Sequence, residues 1–244
     1  MSERGDIKNL SDALEKGYGL IYSEVLGWID MGHALGNDIK DTLDKIQKGE
    51  MSGQPYYSVS YAQSMKHYSS GACYGASSRW QIKRGRPLHE RHSIALAMMM
   101  ATARRFEGDV QGWPFSWFRD SGFSAEDLVS DLLGFYRAVR PMDYFSHLKI
   151  VSKEKALRRW DHYGAVGKYK NTTFQPMLFP DPDVEANKHA KPYLSTLPAF
   201  MKTIQPFNNF KNGTVIPGKT SLHAEFNWSM SDQWNKDHAC DFTK

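Results

Sequence analysis

The sequence is poor in cysteine, with only Cys73 and Cys240 among 244 residues, and it has no apolar run long enough to cross a membrane. The first shortage excludes a disulfide-framed miniprotein and a cysteine-rich metal site, because the two residues stand far apart and form no paired ligand motif. The second excludes a membrane-spanning helix, which needs about 20 mostly apolar residues. Two free thiols are expected, with one structural disulfide as the alternative. The opening MSERGDIKNL has acidic residues and no apolar stretch behind a basic start, which predicts no secretory signal peptide. No Gly-x-Gly-x-x-Gly turn and no His-Glu-x-x-His helix occurs, and no phosphate-binding loop is expected, so no cofactor is expected on motif grounds.

Aromatic residues, by contrast, are abundant: seven Trp, twelve Tyr and thirteen Phe. With 41% hydrophobic and 24% charged residues the chain is of ordinary globular composition, and disorder is excluded. The net charge of +4 is spread along the chain. Arg84, Arg86 and Arg91 read as a solvated or anion-binding surface, and Arg158, Arg159, Lys168 and Lys170 add charge without a patterned aromatic platform, so no nucleic-acid partner is expected.

From Leu10 to Trp28 the apolar residues step by three and four, which is helical spacing, but Gly17, Gly19 and Gly27 interrupt it. A short helix from Ser11 and then a glycine-punctuated segment are expected. Asn37 as cap, Ile39, Leu43 and Ile46 as stripe and Gly49 as stop predict a second helix. Alternation in QPYYSVSY and in SSRWQIKR predicts two short strands around a loop rich in Ser and Gly. Pro87 opens the longest periodic block, Leu88–Phe106, whose apolar middle predicts a central buried helix. Ser124 with Asp127 three residues later starts a helix through Leu128, Leu132 and Tyr136, and another helix is expected from Ser152 to about Tyr163. A strand is expected at Ser221–Trp228. These elements predict an α+β fold: a single mixed domain over 1–244, mostly helical around the buried helix, with a small antiparallel sheet. Its core lies at about 10–163, and the segment 164–244 wraps it.

The sharpest local feature is Gly27-Trp-Ile-Asp30-Met-Gly-His33. A carboxylate can orient an imidazole and raise its basicity, so Asp30 and His33 are candidates for a catalytic pair, for a partial site for a divalent metal, or for a buried structural couple. Glu107, at the end of the apolar helix, is a candidate general acid if burial raises its pKa, and otherwise a solvated carboxylate. Glu126 and Asp127 read first as the acids that any helix start favours.

In combination these segments resemble an uncharacterised bacterial family that carries Gly-Phe-Ile-Asp-x-Gly-His, Trp-His-Glu at a helix end, and Glu-Asp-Leu-x-Ser-Asn-x-Leu-Gly. The resemblance covers roughly residues 20 to 137. Asp30 and His33 fall on the first motif, Glu107 on the second, and Glu126, Asp127 and Ser130 on the third. Phe106 stands where the family has His, and Asp131 where it has Asn. More loosely, the chain resembles the TseH type of hydrolase effector that type VI secretion systems inject into rival bacteria, which implies a papain-like fold. Such a fold needs a thiolate and a histidine base. Cys73 is the candidate nucleophile, with His223, His33 or His67 as its base.

The expected function is therefore that of an antibacterial secretion-system effector, a peptidoglycan-directed hydrolase cleaving an amide or a glycosidic bond. Its implied partners are peptidoglycan or a related envelope substrate, an immunity protein and a secretion-tip protein. It would be made in the cytoplasm and act in the periplasm of a target bacterium. The alternative is a non-catalytic binding domain that uses the aromatic loop Trp113-Pro-Phe-Ser-Trp117 and a basic surface.

Overall fold

The computed structural model describes residues 2–66, 73–110, 123–225, 240 and 242. In chain order the helices are α1 (Leu10–Lys16), α2 (Met31–Ala34), α3 (Asn37–Met51), α4 (Leu88–Val110), α5 (Asp127–Val139) and α6 (Lys153–Tyr163). The strands are β1 (Leu20–Ser23), β2 (Gly27–Asp30), β3 (Tyr56–Lys66), β4 (Cys73–Lys83), β5 (Met177–Leu178), β6 (Tyr193–Leu194), β7 (Val215–Ile216) and β8 (Ser221–Glu225). The fold is α+β, and its contacts gather into two compact units, each made of two stretches of chain: 1–37 with 107–203, and 38–106 with 204–244.

In the first unit, β1 and β2 form an antiparallel hairpin, β5 lies parallel to β2, and β6 completes the order β1-β2-β5-β6. The helical spacing of this stretch thus gives way to a hairpin. All four residues of β1 are buried, so both faces are apolar and the alternation that marks a half-buried strand is missing. The core around it joins Ile7, Leu20, Tyr22, Trp28, Trp160 and Phe179. Trp28 meets Trp160 edge to face with ring centroids 6.0 Å apart. The Tyr22 hydroxyl donates to the Phe179 carbonyl and accepts from the Phe179 N–H, both at 2.8 Å. Arg159 of α6 is fully buried; it donates to the Phe179 carbonyl, pairs with Glu24 and lies over the Tyr22 ring. A buried guanidinium needs such a full set of partners to offset its desolvation.

The second unit holds the expected antiparallel sheet. β3 and β4 pair along their whole length, from Tyr56↔Lys83 to Lys66↔Cys73, and β4 also pairs with β7 and β8. On α4, Ile94, Ala95, Met98 and Met99 are buried, as the apolar block predicts. Cys73, at the start of β4, is bonded to Cys240, with Cα atoms 5.6 Å apart. This corrects the expectation of two free thiols. Separation in sequence says nothing about proximity once the final segment folds back, and here the Ser64 hydroxyl donates to the Cys240 carbonyl and Phe242 sits against Gly75.

In the first unit, α2 crosses α5 at two glycines. A Cβ on Gly36 would collide with the Gly134 carbonyl, and one on Gly134 with the His33 carbonyl. Gly36 also has φ +63°, in the left-handed region. Because backbone atoms form both walls, the contact cannot yield by rotating a side chain. Gly134→Ala should therefore lower stability by about 1–3 kcal/mol or more. Thermal melts of that variant beside Gly5→Ala, whose surroundings are open and whose φ is not positive, check this; equal melting temperatures would refute the close-packing argument.

Candidate functional site

β2 ends at Asp30, and the chain turns at once into α2. The Asp30 carboxylate accepts from the Gly32 N–H at 2.7 Å, which makes it the cap of that short helix. Its backbone N–H donates to the Ser130 hydroxyl at 2.9 Å, and Ser130 in turn donates to the Glu126 carbonyl at 2.6 Å. One serine thus ties the end of β2 to the first turn of α5. The approach to that turn is strained: Phe123, a bulky residue, has φ +53°. Ser124 then donates its N–H to the Asp127 carboxylate at 2.8 Å, as the cap pattern predicts.

This frame brings His33 to α5. Its Nδ1 lies 2.8 Å from Oδ1 of Asp131. The Asp131 side chain is 3% exposed and that of His33 31%, so a buried carboxylate orients an imidazole that solvent reaches. The orienting acid is Asp131, not Asp30 as the spacing suggests, and Asp30 contributes cap and charge. Burial pulls the imidazole pKa down, but the charge and hydrogen bond of Asp131 outweigh it, and Asp30 and Asp127 add to them. The result lies well above the ordinary value, so His33 is an imidazolium at neutral pH.

Glu126 is the second unusual group. It is 1% exposed. One oxygen accepts from the Ser2 hydroxyl at 2.9 Å, and the other has no hydrogen-bond partner, nor does Oδ2 of Asp131. Burial pushes its pKa up to about 7, with Asp30 adding to the rise, while its own backbone N–H, Ser2 and His33 oppose it. Among the described residues, no group of three or more His, Cys, Asp or Glu side chains is placed to hold a metal ion.

The other candidates fare differently. Glu107 lies in the last turns of α4, and its side chain falls outside the described residues, as do His67 and the loop from Trp113 to Trp117. Phe106 is a core residue, stacked on Tyr74 at 5.5 Å. Cys73 is held in the disulfide and has no thiolate to offer as a nucleophile. His223 sits in the second unit, its Nε2 2.7 Å from the Ser77 hydroxyl and its ring stacked on Phe242. Residues 213–220, GTVIPGKT, do spell a phosphate-loop pattern. However, β7 runs through them and β8 follows where that motif requires a helix, so the spelling lacks its fold.

Sequence reasoning missed Asp131 and ranked Glu126 as an ordinary first-turn acid. The available signal was the Ser-Asp pair four and five residues after Glu126, ahead of Gly134, inside an otherwise apolar helix.

Both shifted groups make stability depend on pH with one sign. The folded protein keeps a proton on Glu126 between about pH 4.5 and 7 that the unfolded chain releases. Stability from this source is full below about 4.5 and falls as pH rises to about 7, by on the order of 3 kcal/mol. The stability contributed by His33 is likewise lost as pH rises through its raised value. Glu126→Gln should flatten the decline in melting temperature between pH 4.5 and 7 and leave the His33 decline in place. An unchanged slope would show that Glu126 titrates normally.

No family model, curated protein or solved structure matches the chain.

Proposed function

We propose that the protein is a hydrolase that works by general acid–base catalysis at His33 and Asp131, with peptidoglycan or a related envelope polymer as its substrate. The observation that carries this reading is the 2.8 Å bond between a reachable imidazole and a carboxylate that is 3% exposed. A buried acid that accepts the Nδ1–H holds the ring in one orientation and leaves the Nε2–H for the reaction. The substrate class rests on the resemblance to bacterial effectors, and so does delivery by a secretion system. The disulfide supports a place of action in an oxidising compartment such as the periplasm of a target cell. With Cys73 bonded, direct attack by water is favoured over a cysteine-bound intermediate.

The test is digestion of purified peptidoglycan by the wild type, His33→Ala and Asp131→Asn, with products read by mass spectrometry. Soluble fragments are expected from the wild type, and their masses tell peptide from sugar cleavage. Each variant should lose about 100-fold or more in rate. Asp131→Asn can still accept the imidazole N–H, so it should keep its melting temperature within a few degrees. Iodoacetamide should leave the unreduced protein unmodified and fully active. No fragments from the folded wild type would overturn the reading in favour of a non-catalytic binding domain.

A further inference from the structure

A hydrolytic step that uses water needs one group to accept a proton and another to donate one, in opposite states at the same pH. His33 is already protonated near neutrality: burial opposes the charge, but Asp131 is bonded to the ring and Asp30 and Asp127 add negative charge. It is therefore equipped to donate, and the acceptor has to be found elsewhere.

Glu126 has the attributes of that acceptor. It is buried at 1% exposure, and the charged groups acting on it from neighbouring elements are Asp30 at the end of β2 and His33 on α2. Asp127 and Asp131 belong to its own helix. Among the described residues no cation is bonded to it: its hydrogen-bond partner is the Ser2 hydroxyl, and its second oxygen has none. A carboxyl so placed is spared full ionisation at neutral pH, and burial sets its pKa at about 7, where a base is most effective. Burial alone would also cut it off from water. Ser2 resolves this, since it is partly exposed while its hydroxyl touches the carboxyl. A hydroxyl donates and accepts at once, and so can pass a proton between a buried oxygen and the surface.

We propose that Glu126 and Ser2 form a proton relay opposed to His33: Glu126 takes the proton of the attacking water through the Ser2 hydroxyl, and His33 gives its Nε2 proton to the leaving atom. This assignment rests on the hydrolase reading above. The water oxygen bonds to the electrophilic carbon as its proton moves to Glu126. The scissile bond then breaks, and its electron pair takes the proton from His33. Solvent returns the proton from Glu126 to His33, and the net change is the consumption of one water. In this scheme Ser2 is a positioning and relay residue, and Asp131 is the orienter of the donor.

The experiment compares the wild type, Ser2→Ala, Ser2→Thr and Glu126→Gln by peptidoglycan digestion from pH 5 to 9 and by carbon-13 NMR titration of the Glu126 carboxyl where that residue is present. The wild-type rate should rise with pH through about 7 as Glu126 ionises, and fall at higher pH as His33 loses its proton. The Ser2 hydrogen bond favours the carboxylate, so Ser2→Ala should move both the NMR transition and the rising limb to higher pH. Ser2→Thr should restore both, and Glu126→Gln should abolish the limb and lower the rate by about 100-fold or more. A purely structural Ser2 would shift the melting temperature and leave the pH profile in place. A Glu126 carboxyl that titrates near the ordinary value of about 4.3 overturns the proposal, as does a Ser2→Ala profile that superimposes on the wild type. If the wild type cleaves nothing, the hydrolase reading fails and the catalytic assignment with it. The carboxyl titration with and without the Ser2 hydroxyl still decides whether that hydroxyl is bonded to the Glu126 carboxyl.

Discussion

Everything at the candidate site depends on how closely two backbones approach where α2 meets α5. The carbonyl of Gly134 occupies the space beside Gly36, and the carbonyl of His33 the space beside Gly134. Without that proximity the imidazole would not reach a carboxylate on the neighbouring helix. Close approach also explains the electrostatics. Four carboxyl groups, those of Asp30, Glu126, Asp127 and Asp131, act around a single imidazole, and two of them, Glu126 and Asp131, are buried. Fixed like charges in such a place are relieved by binding protons, and here two different residues hold them: His33 against its own desolvation, and Glu126 because of it.

The backbone bonds that surround the cluster keep its geometry from relaxing. Ser130 receives the N–H of Asp30 and gives its own proton to the Glu126 carbonyl, so strand end and helix start move as one piece. Asp30 is committed to capping α2. Asp127 is committed to the N–H of Ser124. The acids whose hydrogen-bonding capacity is already used hold the fold, and those with capacity to spare, Glu126 and Asp131, carry the chemistry that the site suggests. The charge of Asp131, and not its bonding alone, sets the state of the imidazole. An amide there could accept the same bond, but it would leave the imidazole nearer its ordinary pKa.

Much of the architecture is legible in the sequence. The helices at 37–51, 88–110, 127–139 and 153–163 announce themselves by period, cap and stop, whereas the alternation at Tyr56–Tyr61 and Ser77–Lys83 reveals only part of β3 and β4, whose other ends are spelled in Ser and Gly and read as loop. What stays hidden is hidden for physical reasons. The β1–β2 hairpin is buried on both faces and shows no alternation. The Cys73–Cys240 bond joins ends whose meeting is decided by tertiary folding. The pairing of His33 with Asp131 crosses about a hundred residues, while the local spacing advertises the nearer Asp30. Spacing reveals which residues share a turn, and this site is built from residues that share a contact between turns. The motif points to the segment that holds His33, and the structure pairs that residue with a carboxylate from another helix.

The disulfide has a topological consequence. It closes a covalent ring from residue 73 to residue 240, and the whole stretch 107–203 of the first unit lies within that ring. The two stretches of the second unit therefore stay tethered to one another even while 107–203 is unfolded. For them, reassembly is an intramolecular event at high effective concentration, not a search through a long flexible chain. In an oxidising medium the second unit can thus persist as a fastened frame while the half that carries His33 and Glu126 melts and reforms. In a reducing one the same sequence must gather both halves from open chain.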